Sequence, residues 1–133
     1  MATADFAYTI MYVPDVSHAI AFYEAAFGMS RRFVADDGSY GELNTGTITL
    51  SFASESLGDK NLPGGYQRHA PDALPFACEV AFATAEVEAV VRQAVTAGGS
   101  LIAEPVIKRW GQTVAYVRDP DGLLIEICTP VGG

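Results

Sequence analysis

Phe76-Ala77-Cys78-Glu79-Val80-Ala81-Phe82-Ala83, with a helix-period stretch after it, repeats in outline what Tyr8-Thr9-Ile10-Met11-Tyr12-Val13-Pro14-Asp15-Val16 began 71 positions earlier. At that spacing Tyr8 falls on Glu79, Asp15 on Glu86, Val16 on Val87, Ile20 on Val91 and Gly28 on Gly99. The spacing is 70 where Tyr40-Gly41 meets Trp110-Gly111. It is 77 in the last strand, so that Ile48 meets Ile125, Thr49 meets Glu126 and Leu50 meets Ile127. One half alone cannot bury the face of its sheet, so the duplication predicts two packed copies of one unit.

Each copy reads as strand, helix, then three strands. Residues 6–13 alternate as a strand. Ser17 is the expected N-cap of a helix through Phe27, with Val16, Ile20, Tyr23 and Phe27 as its apolar stripe and Gly28 just past its end. Strands follow over 31–34, 40–44 and 47–53, separated by Asp36-Asp37-Gly38 and Asn44-Thr45-Gly46. Residues 54–75 hold Leu62-Pro63-Gly64-Gly65 and show no sustained period, which predicts a linker or flap. The second copy has a strand over 76–83, a helix from Thr84 to Ala97, and a short strand from Leu101 that Pro105 limits. Strands over 113–118 and 123–128 then flank the turn Asp119-Pro120-Asp121-Gly122. The fold class is α+β, one domain with module one at 5–53, the linker at 54–75 and module two at 76–130.

The chain's 133 residues, half of them apolar, suffice for a core without metal or disulfide staples. With 8 basic residues against 16 acidic ones, scattered singly, the net charge of −8 excludes a phosphate-tracking stripe, so no nucleic acid is expected. No apolar run reaches the roughly 20 residues of a membrane helix, so no membrane partner is expected either. Met1-Ala2-Thr3-Ala4-Asp5 lacks the features of a secretory signal, which makes the cytoplasm the expected location. Cys78 and Cys128 lie in apolar strand-like runs and are expected to be buried thiols.

Alternation sorts the strand residues by face. Ile48, Leu50 and Phe52, like Ile125 and Ile127, are expected under the helices. The opposite faces carry Tyr8 and Tyr12, Thr49, Glu79 among Ala77, Ala81 and Ala83, and Glu126 with Cys128. A concave face with sparse polar groups and space left by alanines suits a small ligand. A glutamate inside an apolar strand is paired, protonated, metal-bound or turned to solvent at a sheet edge, and alternation alone does not choose between these. Trp110 either walls such a pocket or belongs to the core or a surface patch. His18 is expected in solvent and His69 in an exposed loop. No GxSxG, P-loop, HExxH or dinucleotide motif occurs.

Tyr8 to Val16, Phe22-Tyr23, Phe27-Gly28-Met29, Trp110-Gly111-Gln112, Arg118-Asp119-Pro120-Asp121-Gly122 and Leu124-Ile125-Glu126-Ile127 together resemble the vicinal oxygen chelate superfamily. That superfamily includes glyoxalase I, extradiol dioxygenases and bleomycin resistance proteins. The resemblance implies paired βαβββ modules forming a curved mixed sheet around a cavity, commonly in a homodimer. It also implies that the four positions holding metal in glyoxalase-like members are here Tyr8, Thr49, Glu79 and Glu126. Only Glu126 keeps the usual ligand type, so no tightly bound zinc, nickel or iron and no other cofactor is expected; a carboxylate pair suits at most a hard divalent cation. The expected function is binding of a small organic molecule between the modules, through Tyr8, Tyr12, Thr49, Glu79, Trp110 and Glu126. The alternative is a glyoxalase-like lyase or isomerase with Glu79 and Glu126 as its catalytic carboxylates.

Overall fold

The computed structural model describes residues 1–131. Its elements are β1 (Tyr8–Val13), α1 (Val16–Phe27), β2 (Arg31–Val34), β3 (Tyr40–Leu43), β4 (Thr49–Ser54), α2 (Glu55–Asn61), β5 (Glu79–Ala83), α3 (Val87–Thr96), β6 (Ser100–Ile107), β7 (Thr113–Arg118) and β8 (Leu124–Cys128). They form two four-stranded sheets of the same plan, β1-β4-β3-β2 and β5-β8-β7-β6, and neither closes into a barrel. In each sheet the first and last strands of the copy pair in parallel and the remaining pairs are antiparallel. The chain divides into two compact units, Met1–Glu24 with Met29–Arg68, and Ala25–Gly28 with the residues from His69 onward.

In the first unit the helix starts at Val16 because Asp15, not Ser17, caps it: the Asp15 Oδ1 accepts from the His18 N–H at 3.0 Å. A carboxylate there satisfies a free donor and complements the helix dipole. Val16, Ile20 and Tyr23 are buried as the stripe predicts, and Ala19 and Phe22 widen it. His18 is exposed, as expected. The Tyr23 ring lies 5.1 Å from that of Phe52 on β4.

Gly41 on β3 allows this close approach. A Cβ there would lie 2.6 Å from Ile20 Cδ1 and 3.1 Å from both Val16 Cγ1 and Val34 Cγ2. Gly41→Ala is therefore expected to destabilise the protein by about 1–3 kcal/mol through overpacking. Urea unfolding measures this, and a loss below about 0.5 kcal/mol, inside the range of neutral surface changes, would mean that α1 is free to shift.

Two expectations fail in this unit. Ile48 is 44% exposed rather than core, because β4 begins one residue later. Its carbonyl instead accepts from the Thr45 hydroxyl at 2.8 Å, and that hydroxyl also accepts from the Leu50 N–H. The segment 54–75 is not all loop, since it holds α2. Ser54 caps this helix by accepting from the Leu57 N–H at 3.1 Å, with Glu55 in the first turn and Lys60 in the last. Seven residues with one glycine and few apolar side chains present no period to read.

In the second unit Val87, Val91 and Ala94 of α3 are buried against a core that includes Ala115, Val117, Ile125 and Ile127. Thr84 does not cap α3. Its hydroxyl accepts from the Glu86 N–H in a turn just ahead of the helix, which starts at Val87. The last turn of α1 also belongs to this unit, with the Phe27 ring 4.5 Å from that of Phe82. Strand β6 runs through Pro105 instead of stopping at it, as the sheet's outer strand with its register shifted between Ala103 and Val106. An edge strand with a bulge has no need of the missing N–H. Cys78 precedes β5 and is exposed, contrary to the reading of both thiols as buried; Cys128 is buried.

The ladders refine the repeat. Tyr8 pairs with Thr49, whereas Glu79 pairs with Leu124. Thr49 therefore corresponds in rung to Leu124, and Glu126 to Ser51, two residues from the expected equivalence. A slip of two keeps every side chain on its face.

Candidate functional site

In the second unit, direct ladder partners share a face. Ala81, Glu126 and Tyr116 form one rung, Glu79, Leu124 and Arg118 the next, and all six point away from the core that α3 covers. The Tyr116 hydroxyl donates to Glu126 Oε1 at 3.1 Å. The Glu79 and Glu126 carboxyls lie within hydrogen-bonding reach of each other. Partial burial of the Glu79 carboxyl comes first, and the hydrogen bond and charge of Glu126 add to it, in holding Glu79 above the usual carboxylate range. The Glu79 side chain remains exposed overall, so solvent moderates the effect.

The same carboxylate perturbs its other neighbours. Burial first, then the Glu126 hydrogen bond and charge, push up both the Tyr116 phenol and the Cys128 thiol. Among the described residues no lysine, arginine or histidine forms an ion pair with Glu79 or Glu126. A neighbouring carboxylate opposes the charge of Glu79, and the described ion pairs set no cation against it.

Trp110 is 68% exposed in the turn before β7. Its Nε1 donates to Gln112 Oε1 at 2.8 Å, and Gln112 Nε2 donates to the Thr129 carbonyl at 2.8 Å. Trp110 is thereby tied through Gln112 to Thr129, the residue after Cys128, whose own thiol donates to the Phe82 carbonyl at 3.8 Å. His69 lies in the loop before β5, as expected, but is half-buried, its ring 4.7 Å from that of Phe76.

The first unit presents a different face. Tyr8 and Ile10 on its outer strand β1 are 54% and 45% exposed. Tyr12 stacks at 5.2 Å on Tyr66. Thr49 is buried, and its hydroxyl accepts from Arg32 Nη1 at 3.1 Å. The same nitrogen donates to Glu42 Oε1 at 3.0 Å, while the Tyr40 hydroxyl donates to Glu42 Oε2 at 2.7 Å. Glu42 is 8% exposed and Ser51, on its rung, is fully buried. This network of Arg32, Tyr40, Glu42 and Ser51 escaped the sequence reading, as did the part of Tyr116. The one available signal was the spacing of Tyr40 and Glu42 on a single strand face.

Two modules of this topology with polar groups on the faces away from their helices define a glyoxalase-type fold. A family model described as the Glyoxalase/Bleomycin resistance protein/Dioxygenase superfamily matches residues 5–127, and the chain belongs to that superfamily. A glyoxalase-related enzyme from Fulvimarina pelagi is 21% identical, with a TM-score of 0.82 over 96% of this chain and 89% of that one. A glyoxalase/bleomycin resistance protein/dioxygenase family enzyme from Burkholderia phytofirmans PsJN is 23% identical, with a TM-score of 0.75 over 95% and 98%. A virulence protein of Salmonella typhimurium is 27% identical, with a TM-score of 0.63 over 98% and 100%. No functionally curated protein matches the chain.

Proposed function

We propose that this protein binds a small, partly aromatic or amphipathic organic molecule on the face of the second sheet that carries Glu79 and Glu126, without a transition metal. The observation that carries the reading is the glutamate pair itself, set among the short side chains of Ala81 and Ala83 with Tyr116 beside it. The alanines leave room over the strands, and the carboxyls and phenol supply directional contacts. The donor set does not fit zinc, nickel or iron. Neither carboxylate has an imidazole beside it, and among the described residues no three His, Cys, Asp or Glu are arranged to hold a metal ion.

Trp110, the single tryptophan, is the reporter. Gln112 holds the Trp110 indole and is anchored to Thr129 beside Cys128, so a ligand seated at Glu126 and Cys128 is expected to change the environment of the indole. Titration of small aromatic acids, amines and neutral amphiphiles is expected to give a saturable fluorescence change for one class. Affinity should fall at least about tenfold in Glu126→Ala, as for loss of a charged hydrogen-bond partner. Undiminished affinity in that variant, or stoichiometric transition metal surviving chelator dialysis, would overturn the proposal. The raised proton affinity of Glu79 favours a second reading, a lyase or isomerase in which the pair moves a proton next to a carbonyl. Turnover of the bound compound, abolished in Glu79→Gln with binding retained, would select that reading.

A further inference from the structure

Arg118 is only 8% exposed, yet none of the ion pairs among the described residues involves its guanidinium. It spends its donors on main-chain carbonyls. Nε and Nη2 donate to Gly122 at 3.0 and 2.9 Å, and Nη2 also donates to Ala70 at 3.0 Å. Nη1 donates to Pro71 at 3.2 Å and to Ala73 at 2.6 Å. A buried cation held this way is satisfied only while all four carbonyls stay in place. The planar fork of arginine suits the task and the three donors of lysine do not.

The turn is shaped to receive the segment 70–73. Asp119 Oδ1 accepts from the Asp121 and Leu123 N–H groups, both at 2.9 Å, which fixes the turn between β7 and β8. At Gly122 in that turn, φ is +100° and a Cβ would lie 2.7 Å from the Ala70 oxygen. The glycine thus permits both the turn and the close passage of the chain. Arg118 shares its rung with Leu124 and Glu79, so the segment crosses the end of the sheet where β5 begins.

Glu79 occupies the first rung of β5, an outer strand paired only with β8. The first residue of an edge strand frays unless the chain before it is tethered. The geometry points to Arg118 as a positioning residue for the carboxyl pair: it latches residues 70–73 to the β7–β8 turn and so holds Glu79 in register beside Glu126. The stacking of His69 on Phe76 closes the latched segment on itself. This inference rests on the proposed role of the pair, but its test needs no ligand.

The full chain is used, with glutamate carboxyls observed by NMR as pH is varied and amide exchange measured in parallel. The groups facing Glu79 are Glu126 and Cys128 on β8 and Tyr116 on β7. In Arg118→Met, exchange at the Ala73 N–H, which donates to the Ala70 carbonyl at 3.3 Å, is expected to rise at least about tenfold while α3 keeps its protection. The Glu79 titration midpoint should fall towards that of a solvated carboxyl, with Arg118→Lys intermediate. The second variant inserts two glycines after Leu74, which is 90% exposed. It leaves the latch closed but uncouples it from β5, so exchange at the Ala73 N–H stays as in the wild type and the Glu79 midpoint still falls. An unmoved Glu79 midpoint in the insertion variant, or unchanged exchange at the Ala73 N–H in a folded Arg118 variant, overturns the inference. If the latch passes and no compound perturbs Trp110, the positioning stands and the binding reading fails.

Discussion

Glu79→Gln is expected to raise the midpoint of thermal unfolding by a few degrees at pH 8 and to leave it unchanged near pH 4. The folded protein holds the Glu79 proton more tightly than the unfolded chain, whose carboxyl titrates near 4.5. Stability from that proton is complete below the unfolded pKa and is lost as pH rises through the higher folded one. Once pH has risen through the folded range, Glu79 carries its charge beside Glu126 on the neighbouring strand. Glutamine keeps the shape and a hydrogen-bond donor to Glu126 but has no charge to develop, so the variant escapes this loss. Calorimetry between pH 4 and 8 gives the difference curve. A variant no more stable than the wild type at any pH would mean that the two side chains separate on ionisation and solvate independently.

Phe52→Ala is expected to remove about 3–5 kcal/mol, a large part of the roughly 5–15 kcal/mol available to a domain. Phe52 is fully buried, its ladder partners are Met11 and Gly41, and Tyr23 lies over its ring. Neighbours on three elements hold the walls of the void apart, so collapse onto it is limited. Ile48→Ala is the internal control. The sequence places Ile48 in the same apolar row, but its exposure predicts a change within about 0.5 kcal/mol. Equal losses at the two sites in urea unfolding would mean that β4 begins earlier than Thr49.

Ile48 and Phe52 also mark how far the sequence is legible. Period and alternation found β1, α1, α3 and β8, because one apolar face recurs along each, and the duplication showed that one plan occurs twice. What depends on a neighbour distant in sequence was not legible. Nothing in the strand read over 40–44 singles out Glu42, yet Arg32 and Tyr40 bond it and it is buried once β2, β3 and β4 are aligned. Pro105 reads as a stop only if its strand is taken to have partners on both sides. The two-residue slip between Thr49 and Ser51 is invisible to alternation because both lie on one face. At the site, Glu79 and Glu126 were found as carboxylates out of place in apolar strands. Tyr116 was missed because a tyrosine in such a strand is ordinary, and only the β7–β8 register brings it to Glu126.

The unequal surroundings of the two cysteines give the protein a built-in attachment point. Cys128 is buried, and its burial together with the Glu126 charge keeps its thiolate scarce. Cys78 is exposed and directly precedes Glu79. A maleimide dye or nitroxide added to the unmodified wild-type chain therefore goes to one position, adjacent to the carboxyl pair. Spin-label mobility there reads the fraying of β5 without any engineered cysteine, and a dye there pairs with Trp110 as an optical ruler within the second unit.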